Sequence, residues 1–354
     1  MLDELLLSVV AHGGSDLHLA AGVPPKARIH GELRDLLGVP LNEAQVKDCL
    51  KECLSEDQVR SLVKSHDVDG IYTCPQGGRF RVHAFRQMGS YSLVFRHIAA
   101  RISTIDQLGL PPVLKTLAQV PRGLIMVTGT SGSGKTTTLA ALIDQINSTA
   151  CRNIITIEDP VEYVHESRRS IIRHRNLGSD VASFASGLRA AMREDPDVIL
   201  IGEMRDFETI NAAIMAADTG HLVFATLHTT NCLQTVERIL TFYPTDQQEQ
   251  IRLSLSINLV GVIAQRLIPR KDQRGRITAL EIMTSTPLIR KLVREGDLSR
   301  IAQLIEDGGT EGMQSFNQVI YGLFRSGAIY LEDALEAASN PDELRLRLKV
   351  DGLI

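Results

Sequence analysis

The sequence predicts an α/β protein: a mostly parallel sheet wrapped by helices, with a small α+β domain before it and a helical segment after it. Three observations carry this. A glycine-rich loop at residues 129–136 joins an apolar strand pattern to a helical one. Short apolar runs then alternate with helical periodicity up to residue 228, whereas residues 1–100 show strand-like alternation broken by turns.

At 354 residues the chain is long enough for two or three domains with sizeable cores. Its 44% hydrophobic and 23% charged content is that of a globular protein, and a net charge of −4 gives no general attraction to nucleic acid. No apolar run reaches membrane-spanning length, and the first residues carry Asp3 and Glu4 in place of a basic signal start, so a cytoplasmic location is expected. Cys49, Cys53, Cys74, Cys151 and Cys232 are scattered and include no C-x-x-C pair, which argues against a disulfide framework or a zinc site.

In chain order, residues 2–10 read as a short helix, 15–19 as a strand, 28–34 as two short strands around Gly31, and 42–64 as one amphipathic helix. A hairpin follows. Arg79, Arg81 and His83 alternate with Phe80, Val82 and Ala84, and Tyr91, Leu93 and Phe95 alternate with Ser92, Val94 and Arg96, so one sheet face is apolar and the other bears arginines. Taken alone, the same alternation also describes an ordinary solvated sheet face. Residues 101–112, with Gly109 and the Pro111-Pro112 pair, have the breaks of a linker and no patterned core face, so the domains on either side are expected to rotate about it. The division is then 1–100 for the α+β domain, 101–112 for the linker, 113–286 for the α/β domain and 287–354 for the helical segment.

Leu124 to Val127 form the first buried strand, leading into Gly129-x-x-x-x-Gly134-Lys135-Thr136 and a helix whose face is Leu139, Leu142, Ile143 and Ile146. The loop can turn its N–H groups inward around a polyphosphate only through backbone conformations that Gly129, Gly132 and Gly134 reach without a Cβ penalty. Residues Gly129, Thr130, Ser131, Gly132, Ser133, Gly134, Lys135, Thr136 and Thr137 are thus candidates for binding ATP, with Lys135 on the β- and γ-phosphates and the Thr136 hydroxyl on Mg2+. Later strands at 154–157, 198–201 and 222–227 end in Glu158 to Glu162, Glu203 and His228, the strand ends where such sheets bind ligands. Between them lie helix faces built on Ala185 and Leu188, and on Phe207, Ile210, Ile214 and Ala217. Glu162 is a candidate general base or water-positioning group, and Glu203 stands where P-loop proteins place the acid that handles Mg2+ or its water shell. His221 and His228 bracket the strand 222–227, and His228 can sense a γ-phosphate.

The order of Gly-Thr-Ser-Gly-Ser-Gly-Lys-Thr, Ile157-Glu-Asp-Pro-Val-Glu-Tyr-Val-His165, Gly202-Glu-Met-Arg-Asp206 and Thr219-Gly-His-Leu-Val-Phe-Ala-Thr-Leu-His-Thr229 closely resembles the Walker A, Asp, Walker B and His boxes of the secretion ATPases. Ser15-Asp-Leu-His-Leu19, Arg79-Phe-Arg-Val-His-Ala-Phe85 and Pro287-Leu-Ile-Arg-Lys-Leu-Val-Arg-Glu295 extend the resemblance to the retraction (PilT-like) branch that serves type IV pili. The resemblance implies a PAS-like N-terminal domain, a RecA-like motor domain and a homohexamer that hydrolyses ATP with Mg2+ to drive pilus retraction. It implies Glu162 as the catalytic glutamate, Glu203 as the Walker B acid acting on Mg2+ through water, and His221 and His228 as the His-box pair. Arg81 and Arg96 match arginines that in this family reach an ATP held by the neighbouring subunit. The implied partners are an inner-membrane platform protein at the cytoplasmic face of the bacterial inner membrane and a paralogous motor ATPase, with membrane association through partners only.

Pro287-Leu stands where the branch motif opens with Ala-Ile, which leaves room for an accessory motor of the PilU kind. Assembly-type relatives resemble longer chains that often carry a C-x-x-C pair, which this sequence lacks. A RecA-like nucleic-acid translocase would share the P-loop but needs a basic, aromatic-bearing channel, and 4% aromatic residues with no Trp disfavour one. A nucleotide-binding scaffold without hydrolysis is disfavoured by the joint presence of Lys135, Glu162 and Glu203.

Overall fold

The computed structural model describes residues 1–354 apart from 30, 99–101, 274 and 309–311. The chain divides into two compact units, the first comprising residues 1–101 with Glu162–Val164 and the second Ile102–Val161 with His165–Ile354.

The first unit contains α1 (Leu2–Ala11), β1 (Gly14–Ala20), β2 (Lys26–Ile29), β3 (Glu32–Asp35), α2 (Glu43–Cys53), α3 (Glu56–Ser65), β4 (Asp67–Thr73), β5 (Arg79–Gln87) and β6 (Ser90–Ile98). Its strands form one antiparallel sheet in the order β3-β2-β1-β6-β5-β4. Period-two alternation decides which face is covered. Phe80, Val82, Ala84, Leu93 and Phe95 are buried in a core shared with Leu2, Leu5, Leu6 and Val9 of α1 and with Val46 and Leu50 of α2. Arg79, Arg81 and His83 on β5 stay at least partly exposed.

The single helix expected over 42–64 is two. Leu54 leaves the helix in an extended conformation, and Ser55 opens a new one with a capping box to Gln58, as Asn42 does with Gln45 for α2. Two successive boxes satisfy the free N–H groups at each start, which a continuous apolar stripe hides from a periodicity count. Strand β4 was not expected, because Gly70 and the acids Asp67 and Asp69 mask its pattern.

The second unit contains α4 (Val113–Gln119), β7 (Gly123–Thr128), α5 (Lys135–Thr149), β8 (Asn153–Glu158), β9 (Ile171–Asn176), α6 (Phe184–Ala191), β10 (Val198–Ile201), α7 (Phe207–Asp218), β11 (Leu222–Leu227), α8 (Cys232–Thr241), α9 (Gln248–Asn258), β12 (Leu259–Pro269), β13 (Arg276–Thr284), α10 (Pro287–Glu295), α11 (Ile301–Asp307), α12 (Phe316–Arg325), α13 (Leu331–Ala337) and α14 (Pro341–Val350). The sheet order is β13-β12-β7-β11-β10-β8-β9, parallel throughout except for β13. This is the expected α/β architecture with helices on both faces. Successive residues of β7 go to opposite sides: Ile125 and Val127 pack with Leu139, Leu142, Ile143 and Ile146 of α5, while Leu124 and Met126 join the core of the other face.

That second core runs without a break into the C-terminal helices through Ile289, Leu292, Ile305, Phe316, Ile320, Leu344 and Leu348. The expected linker is also partly core: Ile105 and Leu110 are 1% and 6% exposed and pack with Leu114 and Leu142, while its first residue, 101, lies outside the described residues. Freedom of rotation attributed to all of 101–112 therefore does not extend to this buried stretch. The spans 229–286 and 166–180, left unassigned by periodicity, hold β12 and β13 and the edge strand β9, whose centre is Arg173, His174 and Arg175. Among the described residues no helix is long and apolar enough to cross a membrane.

Candidate active site

The loop between β7 and α5 closes on itself through backbone geometry. Gly129, Gly132 and Gly134 have φ of 144°, 77° and 90°, values an L side chain rarely adopts. Lys135 Nζ donates to the carbonyls of Gly129 and Thr130 at 2.8 and 3.0 Å, so its ammonium lies across the mouth of the loop. Burial depresses the Lys135 pKa, and the negative charge of Glu203 acts in the opposite direction. A desolvated ammonium already held over backbone oxygens is poised for a stronger anionic partner. Thr130 and Ser131 are exposed on the loop, while Thr136 and Thr137 occupy the first turn of α5, where the positive end of the helix dipole favours an anion. The Ser133 hydroxyl is buried with no hydrogen-bond partner among the described residues.

Parallel register brings a second group to the same edge. Leu227 of β11 lies opposite Thr128 of β7, and Ala225 opposite Ile201 of β10, so His228 and Glu203 emerge beside the loop. Strand β11 separates β7 from β10, which sets their ends about 10 Å apart. His228 Nε2 is 2.9 Å and Arg205 Nε 2.6 Å from Glu203 Oε1. The hydrogen bond to Glu203 raises the Arg205 pKa. Gly202 lets the Glu203 turn pass close to β8, since a Cβ there would stand 3.2 Å from Glu158 Cα, and Thr226 Oγ1 holds the Gly202 carbonyl. Arg205 is a partner that strand-end reasoning passed over, because it follows the acid by two positions in a loop.

His221 is not part of this cluster. It precedes β11, hydrogen-bonding Ala216 O at 3.0 Å and Thr219 Oγ1 at 3.2 Å, at the end of the strand away from the loop. Six residues of strand separate it from His228, about 20 Å. Within one chain His221 and His228 thus stand at opposite ends of β11, as their bracketing of residues 222–227 implies.

Glu162 lies on a short excursion, with Glu162–Val164 grouped in the first unit. Both flanks are pinned in the second unit by β9: Val161 N–H donates to Asn176 Oδ1 at 3.0 Å and His165 N–H to His174 Nε2 at 3.1 Å. Because Nε2 accepts, the His174 proton sits on Nδ1, 2.8 Å from Thr156 Oγ1. The His165 ring stacks on His174, and burial pushes its pKa down to about 4. These anchors were invisible to a search for apolar periodicity, since β9 is a half-buried, mostly polar edge strand.

In the first unit, Arg81 and Arg96 are cross-strand neighbours on β5 and β6. Two arginines in that position repel unless acids flank them. Asp16, opposite Arg96 on β1, accepts from Arg96 Nε at 2.8 Å, and Asp69 on β4 lies 3.4 Å from Arg81 Nη2. Burial works to raise the Asp16 pKa, but the Ser15 hydroxyl and the Arg96 guanidinium outweigh it and hold the carboxyl below its ordinary value. Arg96 nevertheless remains 71% exposed, so its charge is tethered and still presented to solvent.

Among the described residues no three or more His, Cys, Asp or Glu side chains converge as a metal cage. The Thr136 hydroxyl and the Glu203 carboxylate suit the alternative, Mg2+ held chiefly by phosphate with few protein oxygens.

Residues 75–310 match the family described as Type II/IV secretion system protein. The chain is 43% identical over 341 residues to the type IV pilus retraction ATPase PilT of Pseudomonas aeruginosa, covering 96% of this chain and 99% of that one. It is 39% identical to the type IV pilus ATPase PilU of the same organism, covering 98% and 91%. A crystal structure of the pilus retraction motor PilT with bound ADP superposes with a TM-score of 0.91 at 43% identity, covering 97% of this chain and 98% of that one.

Proposed function

This chain belongs to the type II/IV secretion system protein family, and from that premise we propose that it is an ATPase motor of type IV pilus retraction. The observation that carries the ATPase reading is the loop with Lys135 across its mouth, facing an edge that also presents Glu203 and His228. Similarity along nearly the whole length of a retraction ATPase, C-terminal helices included, supports the retraction reading.

In this mechanism the loop N–H groups from Thr130 to Thr136 take the phosphate oxygens, and Lys135 leaves the Gly129 and Thr130 carbonyls for the β- and γ-phosphates. The Thr136 hydroxyl and, through water, Glu203 would hold Mg2+, which supplies charge neutralisation on the phosphates. Glu162 orients the attacking water, and its anchoring through His165 and Asn176 limits how far it can stray. His228 reports the γ-phosphate to Glu203 through their shared hydrogen bond. Arg81 and Arg96 act on ATP bound by a neighbouring subunit, which makes a homohexamer the active unit. In that ring, ATP holds each joint closed by pairing phosphate with guanidinium, and release of phosphate opens it. The motor works on an inner-membrane platform protein at the cytoplasmic face, alone or beside a paralogous motor ATPase.

Steady-state phosphate release, measured with and without single-stranded DNA, tests this. The expected result is Mg2+-dependent hydrolysis indifferent to DNA, with Glu162→Gln binding ATP normally and turning over about a hundredfold or more slower. Turnover by Glu162→Gln at the wild-type rate removes that residue from its role, and strong stimulation by DNA favours a nucleic-acid translocase.

A further inference from the structure

Gln265 is 3% exposed on β12, preceded by the buried apolar residues Val262, Ile263 and Ala264. A buried carboxamide in such a run has to be hydrogen-bonded, and both of its ends are. Oε1 accepts from Thr138 Oγ1 at 2.7 Å, and Nε2 donates to the Ser133 carbonyl at 2.8 Å. The Ser133 carbonyl can only accept, which fixes which end of the amide faces the loop.

The same residue bounds the loop sterically. A Cβ on Gly134 would stand 2.7 Å from Gln265 Nε2, and one on Gly129 would stand 2.5 Å from the Gln265 carbonyl oxygen. Two of the motif's glycines thus face Gln265, one its side chain and one its backbone. Strand β12 is fastened in turn by the next residue: the Arg266 guanidinium lies 3.8 Å over the Phe316 ring and donates to Ala337 O, which ties it to α12 and α13.

A trans peptide holds its C=O and N–H on opposite sides. With the Ser133 carbonyl drawn toward β12, the Gly134 N–H is turned to the other side, the concave side of the loop. We propose that Gln265 is a positioning residue of the nucleotide site, clamping the Ser133–Gly134 peptide so that the Gly134 N–H faces the bound polyphosphate, with no contact between Gln265 and the nucleotide. This inference rests on the proposal that the loop binds ATP. It adds a determinant of phosphate affinity that lies 130 residues along the chain from the motif it serves.

The test is competition against a fluorescent ADP analogue by ADP, inorganic pyrophosphate and adenosine, on wild-type and Gln265→Met protein. Methionine keeps the volume and removes both hydrogen bonds. ADP and pyrophosphate should each weaken by about tenfold, the scale of one charge-assisted hydrogen bond, while the adenosine constant stays unchanged. Should Gln265→Met fail to fold, Thr138→Val takes one of the two bonds from the clamp and should show the same phosphate-selective loss at a few-fold. Equal weakening of all three ligands, or ADP bound as tightly as by wild type, overturns the positioning role. Failure of the wild-type protein to bind ADP at all would instead overturn the ATPase reading beneath it.

Discussion

On the proposed reading, the two sheets of this protein carry charge toward phosphate in different ways. At the loop edge of the parallel sheet the donors are mostly backbone N–H groups, fixed by glycine dihedrals and by buried side chains such as Gln265. On the antiparallel sheet the donors are two guanidinium groups on neighbouring strands, each tethered by an acid of its own unit. In the first, the backbone donors are set in advance by the glycine dihedrals, and Lys135 exchanges the Gly129 and Thr130 carbonyls for the anion. In the second, each guanidinium is tethered to an acid and, on that reading, turns from Asp16 or Asp69 toward phosphate. On the proposed reading, binding falls to the first sheet, and γ-phosphate sensing and catalysis across a subunit boundary fall to the second.

The largest expected effect separates these assignments. Lys135→Ala should weaken ATP by about a hundredfold, because a part-buried ammonium making charge-assisted hydrogen bonds is lost. An Arg81→Ala, Arg96→Ala variant should bind ATP within about threefold of wild type and lose about a thousandfold in turnover, as trans arginines do. Equilibrium binding and phosphate release on the same preparations check both. Similar losses of binding in the two variants would erase the distinction.

A smaller effect sharpens it. Arg96→Ala alone leaves Asp16 buried with the Ser15 hydroxyl as its remaining side-chain hydrogen bond, and should destabilise the first unit by about 1 kcal/mol near pH 7, a value discounted for the exposure of Arg96. Asp16 has a folded pKa below its ordinary value, so its contribution is fully present above about pH 4 and is lost as pH falls through the depressed folded value. Denaturant unfolding at a series of pH values should therefore show the wild-type and Arg96→Ala curves converging in acid. A difference that persists unchanged into strong acid would mean that Arg96 stabilises through packing and not through Asp16.

The same contrast explains what the sequence made legible. A site built from backbone geometry leaves glycines at fixed intervals, so residues 129–136 were readable, and apolar strands that end in polar residues pointed to Glu203 and His228 at the same edge. Sites built from side chains leave weaker marks. Arg81 and Arg96 showed only as an alternation, and their acids Asp16 and Asp69 are distant in sequence and brought close by strand pairing alone. Gln265, His174 and Asn176 were missed for a related reason: each supports the site from an element that periodicity did not identify, and only the register of β12 and β9 reveals what they hold. The break at Leu54 and Ser55 could have been found, since Ser55 and Gln58 have the spacing of a capping box. The position of His221 was legible as well: it precedes the strand 222–227 that His228 follows, and the structure has it at that far end, bonded to Ala216 and Thr219.

The most direct test of the claim that both sheets serve one site across subunits is hydrolysis by mixed assemblies. Glu162→Gln protein, which keeps its arginines, is combined with Arg81→Ala, Arg96→Ala protein, which keeps its loop, after each is shown to be folded and mass measurement shows that mixed rings form. Neither parent should turn over appreciably, and the mixture should regain hydrolysis in proportion to the fraction of joints that place a subunit with intact Glu162 beside a neighbour with intact arginines. Mixed rings that never exceed the sum of their parents would contradict the assignment of Arg81 and Arg96 to a neighbour's nucleotide.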